Sequence, residues 1–264
     1  MGITSGGGVS RPALPVLRLE MLGKIRIYIN GVESTATNWT TAKARDLLIY
    51  LAHCGEPVSK DRILDALWPD LEINKSSHLF HTTLYYLRQV LKQASGREDL
   101  IVYSGGSYRL PADGFITDRD RFENLLNTGK TIEEITETAI TSLTEAVELH
   151  QGDYLADLEY PWLISVWEHL GCLYRQILKR LGHYYLEKQN YEAAINYLRL
   201  SAESDPFAED TSALLMRAYA EIGDLMALKE TYQSLADSLE EELGVPPSKE
   251  IEELFQKLIG GNRS

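Results

Sequence analysis

Residues 74–92 read NKSSHLFHTTLYYLRQVLK. On a helix each residue turns by about 100° from the last. Phe80, Leu84, Leu87 and Leu91 then share one apolar stripe, and Lys75, His78, Thr82, Tyr85 and Gln89 share the opposite one. The polar stripe is long, rich in hydrogen-bonding groups and free of carboxylates, whereas a solvated helix face usually mixes Glu with Lys. Its chemistry suits the edges of base pairs in double-stranded DNA. Lysine donates to guanine, histidine and threonine bond in either sense, and a threonine methyl packs on thymine. Lys75, His78, Thr82 and Tyr85 are therefore candidate base-reading residues. Lys43, Arg45 and Arg88 are candidate phosphate clamps, with surface ion pairs as the plainer alternative. His78 and His81 have no Cys or carboxylate at ligand spacing, so no metal site is expected. Gly-x-Ser-x-Gly, Walker, Gly-x-Gly-x-x-Gly and His-Glu-x-x-His patterns are all absent, so neither catalysis nor a cofactor is expected.

A reading helix needs elements to hold it. The stretch that follows, IVYSGGSYRL, forms two short strands around Gly105-Gly106. Glycines let such a tip turn tightly and approach phosphates closely, so Ser104, Gly105 and Gly106 join the candidate contacts. Upstream, residues 41–53 place Ala44, Leu47, Leu48 and Leu51 at helical spacing, with Gly55 and Pro57 as the stop. Ser59 can cap a second helix burying Ile63, Ala66 and Leu67, ended at Pro69. Before these, VLRLEML and KIRIYIN alternate as half-buried strands do, and Asn30-Gly31 follows as a hairpin turn. Strands, two helices, a long helix and a hairpin make a winged helix-turn-helix, with the long helix in a major groove and the hairpin as the wing. Trp68 ends an apolar stripe and belongs to the core.

The rest reads as all helix. Leu181-Gly182-x2-Tyr185, Asn190-Tyr191-x2-Ala194 and Pro206 fit the tetratricopeptide pattern. A shift of about 34 residues gives Leu215, Tyr219, Asp224, Leu228 and Tyr232, with Gly223 at the turn. Asp205-Pro206 looks like a helix start with Pro in the first position. Tyr185, Tyr191, Tyr197, Tyr219 and Tyr232 are packing residues, and Glu240-Glu241-Glu242 is a solvated helix end. The fold class expected is mainly α with small β-sheets, a winged helix-turn-helix domain plus an all-α tetratricopeptide-like repeat domain. The divisions expected are a disordered arm or cloning remnant at 1–15, a self-contained DNA-binding domain at 16–115 and the helical domain at 116–264.

Charge follows that division. The 264-residue chain has a formal net charge of −13. Residues 1–115 hold 13 Lys and Arg against 11 Asp and Glu, a net of +2, and residues 116–264 hold 13 against 28, a net of −15. The acidic half is therefore suited to protein rather than nucleic acid. No apolar run approaches the roughly 18–20 residues of a membrane span, and no signal segment opens the chain, so a cytoplasmic protein with no membrane partner is expected. Cys54 and Cys172 lack motif spacing and read as two buried thiols.

Several of these residues resemble a known family. Lys43-Ala44-Arg45, Leu67-Trp68-Pro69-Asp70 and Leu87-Arg88 resemble the DNA-binding domain of the Streptomyces antibiotic regulatory protein type of bacterial activators. Gly152-Asp153-Tyr154-Leu155, Asp205-Pro206-Phe207-x-Glu209 and Glu242-Leu243-Gly244-Val245-x-Pro247-Ser248 resemble its bacterial transcriptional activation domain. The likeness spans roughly residues 16–258. It implies a DNA-binding transcriptional activator that binds promoter repeats, often as a homodimer, and recruits RNA polymerase. The rival expectation is a tetratricopeptide interaction module whose winged helix is degenerate and docks protein.

Overall fold

The computed structural model describes residues 16–130 and 136–260. The arm expected at 1–15 lies outside them. The chain forms two compact units. Of the described residues, the first holds those up to Asp120 together with Leu155–Trp162, and the second holds those between Arg121 and Tyr154 and those from Leu163 on.

In the first unit, β1 (Leu17–Glu20) pairs antiparallel with β2 (Arg26–Ile29), and β2 with β3 (Val32–Glu33). Leu17, Leu19, Ile27 and Ile29 face the core. Asn30 and Gly31 both take positive φ, 50° and 80°, as the tight turn between β2 and β3 demands. Helix α1 (Ala42–Cys54) starts where the Thr41 side chain accepts from Ala44 N, and ends at left-handed Gly55. It is buried nearly all round, Asp46 included, so it is the central helix of this unit. Strand β4 (Val58–Ser59) leads into α2 (Lys60–Leu67), capped by the Ser59 hydroxyl on Arg62 N. Trp68 is buried behind it. Helix α3 (Ile73–Ser95) packs on α1 and buries Phe80, Leu84, Leu87 and Leu91, and left-handed Gly96 stops it.

Strands β5 (Val102–Ser104) and β6 (Ser107–Arg109) form the hairpin, and β6 also pairs with β4 in a sheet of order β4-β6-β5. Strand β7 (Phe115–Thr117) then adds parallel to β1 and completes the order β3-β2-β1-β7. Cutting the chain after residue 115 would break this last pairing. Residues 155–162 return as a strap. Leu155 N donates to Met21 O at 2.7 Å, Ala156 N to Gly23 O at 3.3 Å, and Ile25 N to Asp157 Oδ2 at 3.2 Å. Leu155 and Leu158 are buried. The 16–115 core is thus not self-contained.

The second unit takes up most of α4 (Asp118–Lys130), then α5 (Glu137–Leu149), α6 (Leu163–Glu187), α7 (Tyr191–Ser204), α8 (Glu209–Glu221), α9 (Leu225–Leu243) and α10 (Lys249–Gly260). From α6 onward each helix packs on the next up to α9, and α10 folds back on α8. The repeat spacing has a direct cause at Gly182, where a Cβ would lie 2.5 Å from Leu198 Cγ. Ala194, Leu198, Leu215 and Leu228 are buried at the matching positions. The repeat tyrosines are half-buried rather than enclosed. Tyr185 stacks on Tyr197 at 5.6 Å and Tyr232 on Phe255 at 4.0 Å.

Two local expectations are corrected. Pro206 does not begin a helix. The Asp205 carboxylate accepts from Phe207 N, Asp205 O accepts from Ala208 N, and the turn so closed delays α8 to Glu209. Cys172 is exposed on the outer face of α6 and Cys54 only partly buried, so they are not two buried thiols. No described helix is long and apolar enough to cross a membrane.

Candidate nucleic-acid interface

Helix α3 runs for 23 residues without a carboxylate. Its core stripe is anchored, so the opposite stripe is displayed. Lys75, His78, Thr82, Tyr85 and Arg88 are exposed and Gln89 is half-buried. Tyr85 is 58% exposed, unusual for a large ring with no partner beyond its neighbour Tyr86 among the described contacts. The Thr82 hydroxyl donates to His78 O at 3.2 Å, which leaves its lone pairs able to accept. Lys75 pairs with Glu72 at 3.4 Å, but both are well exposed, and such a pair is worth little against a stronger anion. Arg88 has no ion-pair partner among the described residues.

The hairpin is fixed to this helix at its root. Tyr108 meets the Phe80 ring edge-on at 5.1 Å, and Tyr103 lies 4.7 Å from Tyr108. Burial raises the Tyr108 pKa, the Tyr103 hydroxyl adds to this, and the Arg88 charge opposes it, which places Arg88 beside the hairpin. At the tip Gly105 and Gly106 hold φ of 58° and 82°, left-handed values that disfavour any side chain. Ser104, Gly105 and Gly106 are all exposed.

Lys43 and Arg45 lie elsewhere. Lys43 Nζ donates to Leu67 O at 2.6 Å and to the Tyr160 hydroxyl at 2.9 Å, and that hydroxyl donates to Asp46 Oδ2 at 2.6 Å. Arg45 Nη2 bonds Asp46 Oδ1 at 3.1 Å. Burial lowers the Lys43 pKa and Asp46 opposes it. Both cations are engaged in an internal network that ties the strap to α1 and to the end of α2. The structure therefore displays Lys75, His78, Thr82, Tyr85 and Arg88 on α3, joins that helix to the hairpin through Phe80 and Tyr108, and engages Lys43 and Arg45 inside the unit. Tyr103, 59% exposed, and Lys60, at the start of α2, carry no spacing that singles them out. Tyr103 is marked only as an aromatic residue in a strand too short to bury both faces.

Residues 117–259 match the bacterial transcriptional activator domain. The chain belongs to that family. The matched segment begins at the last residue of β7 and contains the strap, so the family's domain contributes residues to both units. Among relatives, the regulatory protein AfsR of Streptomyces coelicolor is 26% identical over 259 residues, covering 94% of this chain and 25% of AfsR. The chain thus spans about a quarter of that relative's length. The regulatory protein DnrI of Streptomyces peucetius is 25% identical over 260 residues, 92% of each chain. In fold, this member of the family is similar to EmbR of Mycobacterium tuberculosis, solved with a low-affinity phosphopeptide, at a TM-score of 0.71 and 18% identity over 93% of this chain and 65% of that one.

Proposed function

We propose that the chain is a sequence-specific DNA-binding transcriptional activator. The observation that carries this is the carboxylate-free exposed face of α3, joined through Phe80 and Tyr108 to a glycine-tipped hairpin. In a winged helix such a face lies in the major groove. Lys75, His78, Thr82 and Tyr85 then meet base edges, and Arg88 with Ser104, Gly105 and Gly106 meets the backbone. Lys43 and Arg45 support the reading elements from inside rather than touching DNA. Membership of the activator family and likeness to regulatory proteins along nearly the whole chain support the same reading. The acidic helical unit contacts protein, RNA polymerase or a second copy of the chain bound to a neighbouring repeat, because its charge disfavours DNA. The activator works in the cytoplasm, where its DNA is.

Titration of the full chain with duplex DNA across salt tests this. Binding should weaken steeply, with a log–log slope of roughly −0.9 for each phosphate neutralised. Arg88→Ala should make the slope shallower by about one unit and lower affinity for all sequences alike. Absence of duplex binding at low salt would favour the protein-docking alternative.

A further inference from the structure

We infer that Lys60, Ser77 and His81 form a seat for one backbone phosphate, the contact that fixes the register of α3 on the duplex. The inference rests on the DNA-reading function proposed above. Lys60 opens α2, directly after β4, and Ser59 of β4 pairs with Ser107 of the hairpin. Its ammonium donates to Ser77 Oγ at 2.5 Å and lies 3.3 Å from His81 Nε2. Ser77 and His81 are one turn apart on α3, on the side that faces α2. The Phe80 ring lies 5.8 Å from Lys60 Nζ and meets both the His81 ring, at 5.3 Å, and the hairpin residue Tyr108. Three elements thus converge on one ammonium, one hydroxyl and one imidazole.

No carboxylate among the described residues pairs with Lys60. Several cations of this unit do pair with an acid, though Arg88 has no such partner among the described residues. Arg62 pairs with Glu56, Lys75 with Glu72, and Lys92 with Glu98. Lys60 instead faces two groups that carry no negative charge. An ammonium has three donors and no acceptor, so His81 Nε2 accepts from Lys60 here, while the Ser77 hydroxyl, which also accepts from Lys60, keeps its own O–H to donate toward an oxyanion. A phosphate offers several acceptor oxygens and the missing charge, and charge-assisted bonds to it are stronger than the neutral ones it would displace. The seat adjoins both elements proposed to touch DNA, α3 through Ser77 and His81 and the hairpin through the pairing of β4 with β6. A phosphodiester held there would set how far along the groove the reading residues fall.

The test uses the full chain and a duplex selected by it from a random pool. Lys60→Ala should make the salt slope shallower by about 0.9 and weaken binding roughly eightfold at about 0.1 M salt. Lys60→Arg should restore the slope. Replacing single phosphates of the duplex by neutral methylphosphonates then locates the seat. At one position the replacement should weaken the wild type and Arg88→Ala but leave Lys60→Ala unchanged. Ser77→Ala and His81→Gln should each blunt the effect at that same position. If Lys60→Ala keeps the wild-type slope and remains sensitive at every phosphate, the seat is overturned while the DNA-reading function stands. If the full chain selects no duplex at all, that function fails and the seat with it.

Discussion

Two lysines and two arginines of similar appearance in sequence meet different fates, and burial decides between them. Arg88 reaches solvent beside the hairpin and keeps its charge available. The Lys43 ammonium is partly desolvated and already bonded to Leu67 O and Tyr160. His53 shows the same effect on a titrating group. Its ring lies 4.6 Å from that of Trp162, and Arg119 Nη1 donates to both its Nδ1 and its carbonyl oxygen. Burial first, then the charges of Arg119 and Arg62, pull its pKa from 6.5 down to about 4. Between those values acid protonates this histidine in the unfolded chain but not in the folded one. Stability present above about pH 6.5 is therefore lost as pH falls toward about 4. Thermal unfolding of the wild type and of His53→Gln across that window should show a shallower fall for the variant. Parallel curves would mean that His53 titrates alike in both states.

The strap is the element with the most to test. Tyr160 receives a bond from Lys43 and gives one to Asp46, both on α1, and Lys43 in turn holds the last carbonyl of α2 ahead of the turn into α3. Tyr160→Phe leaves a buried carboxylate short of a donor and should cost about 1–3 kcal/mol, read by denaturant unfolding of the full chain. A change within error would make the strap a surface decoration. None of this was legible from sequence, because a strap pairs with residues more than a hundred positions away and has no period of its own. The same holds for β7, whose partner β1 lies at the other end of the unit. What was legible is local. The α3 stripes follow from helical spacing, the caps at Ser59 and Gly55 from residue type, and the wing from Gly105-Gly106. The spacing of Gly182 and Ala194 reports direct helix contact, and so survives as a repeat. Pro206 misled because a proline fits a turn as well as a first helical position, and the Asp205 side chain chose the turn. The bonding of Lys43 was not legible because charge gives no hint of a hydroxyl arriving from residue 160.

At the scale of the molecule, the return of 155–162 changes the charge division. The first unit holds 14 Lys and Arg against 15 Asp and Glu, a net of −1, and the second holds 12 against 24, a net of −12. The first unit is thus near neutral, and its attraction for DNA must come from where its charges lie. Helix α3 concentrates Lys75, Arg88 and Lys92 with no acid among them. Reading of base edges by that face is the central claim, and sequence preference measures it more directly than affinity does. Selection from a random duplex pool should be run in parallel on the wild type, His78→Ala, Thr82→Ala and, as an internal control, Lys43→Ala. His78→Ala and Thr82→Ala should each relax preference at one or two adjacent positions, at a cost of about 1–3 kcal/mol on the preferred site, while Lys43→Ala keeps the wild-type profile. Identical profiles for the wild type and both α3 variants would contradict the claim.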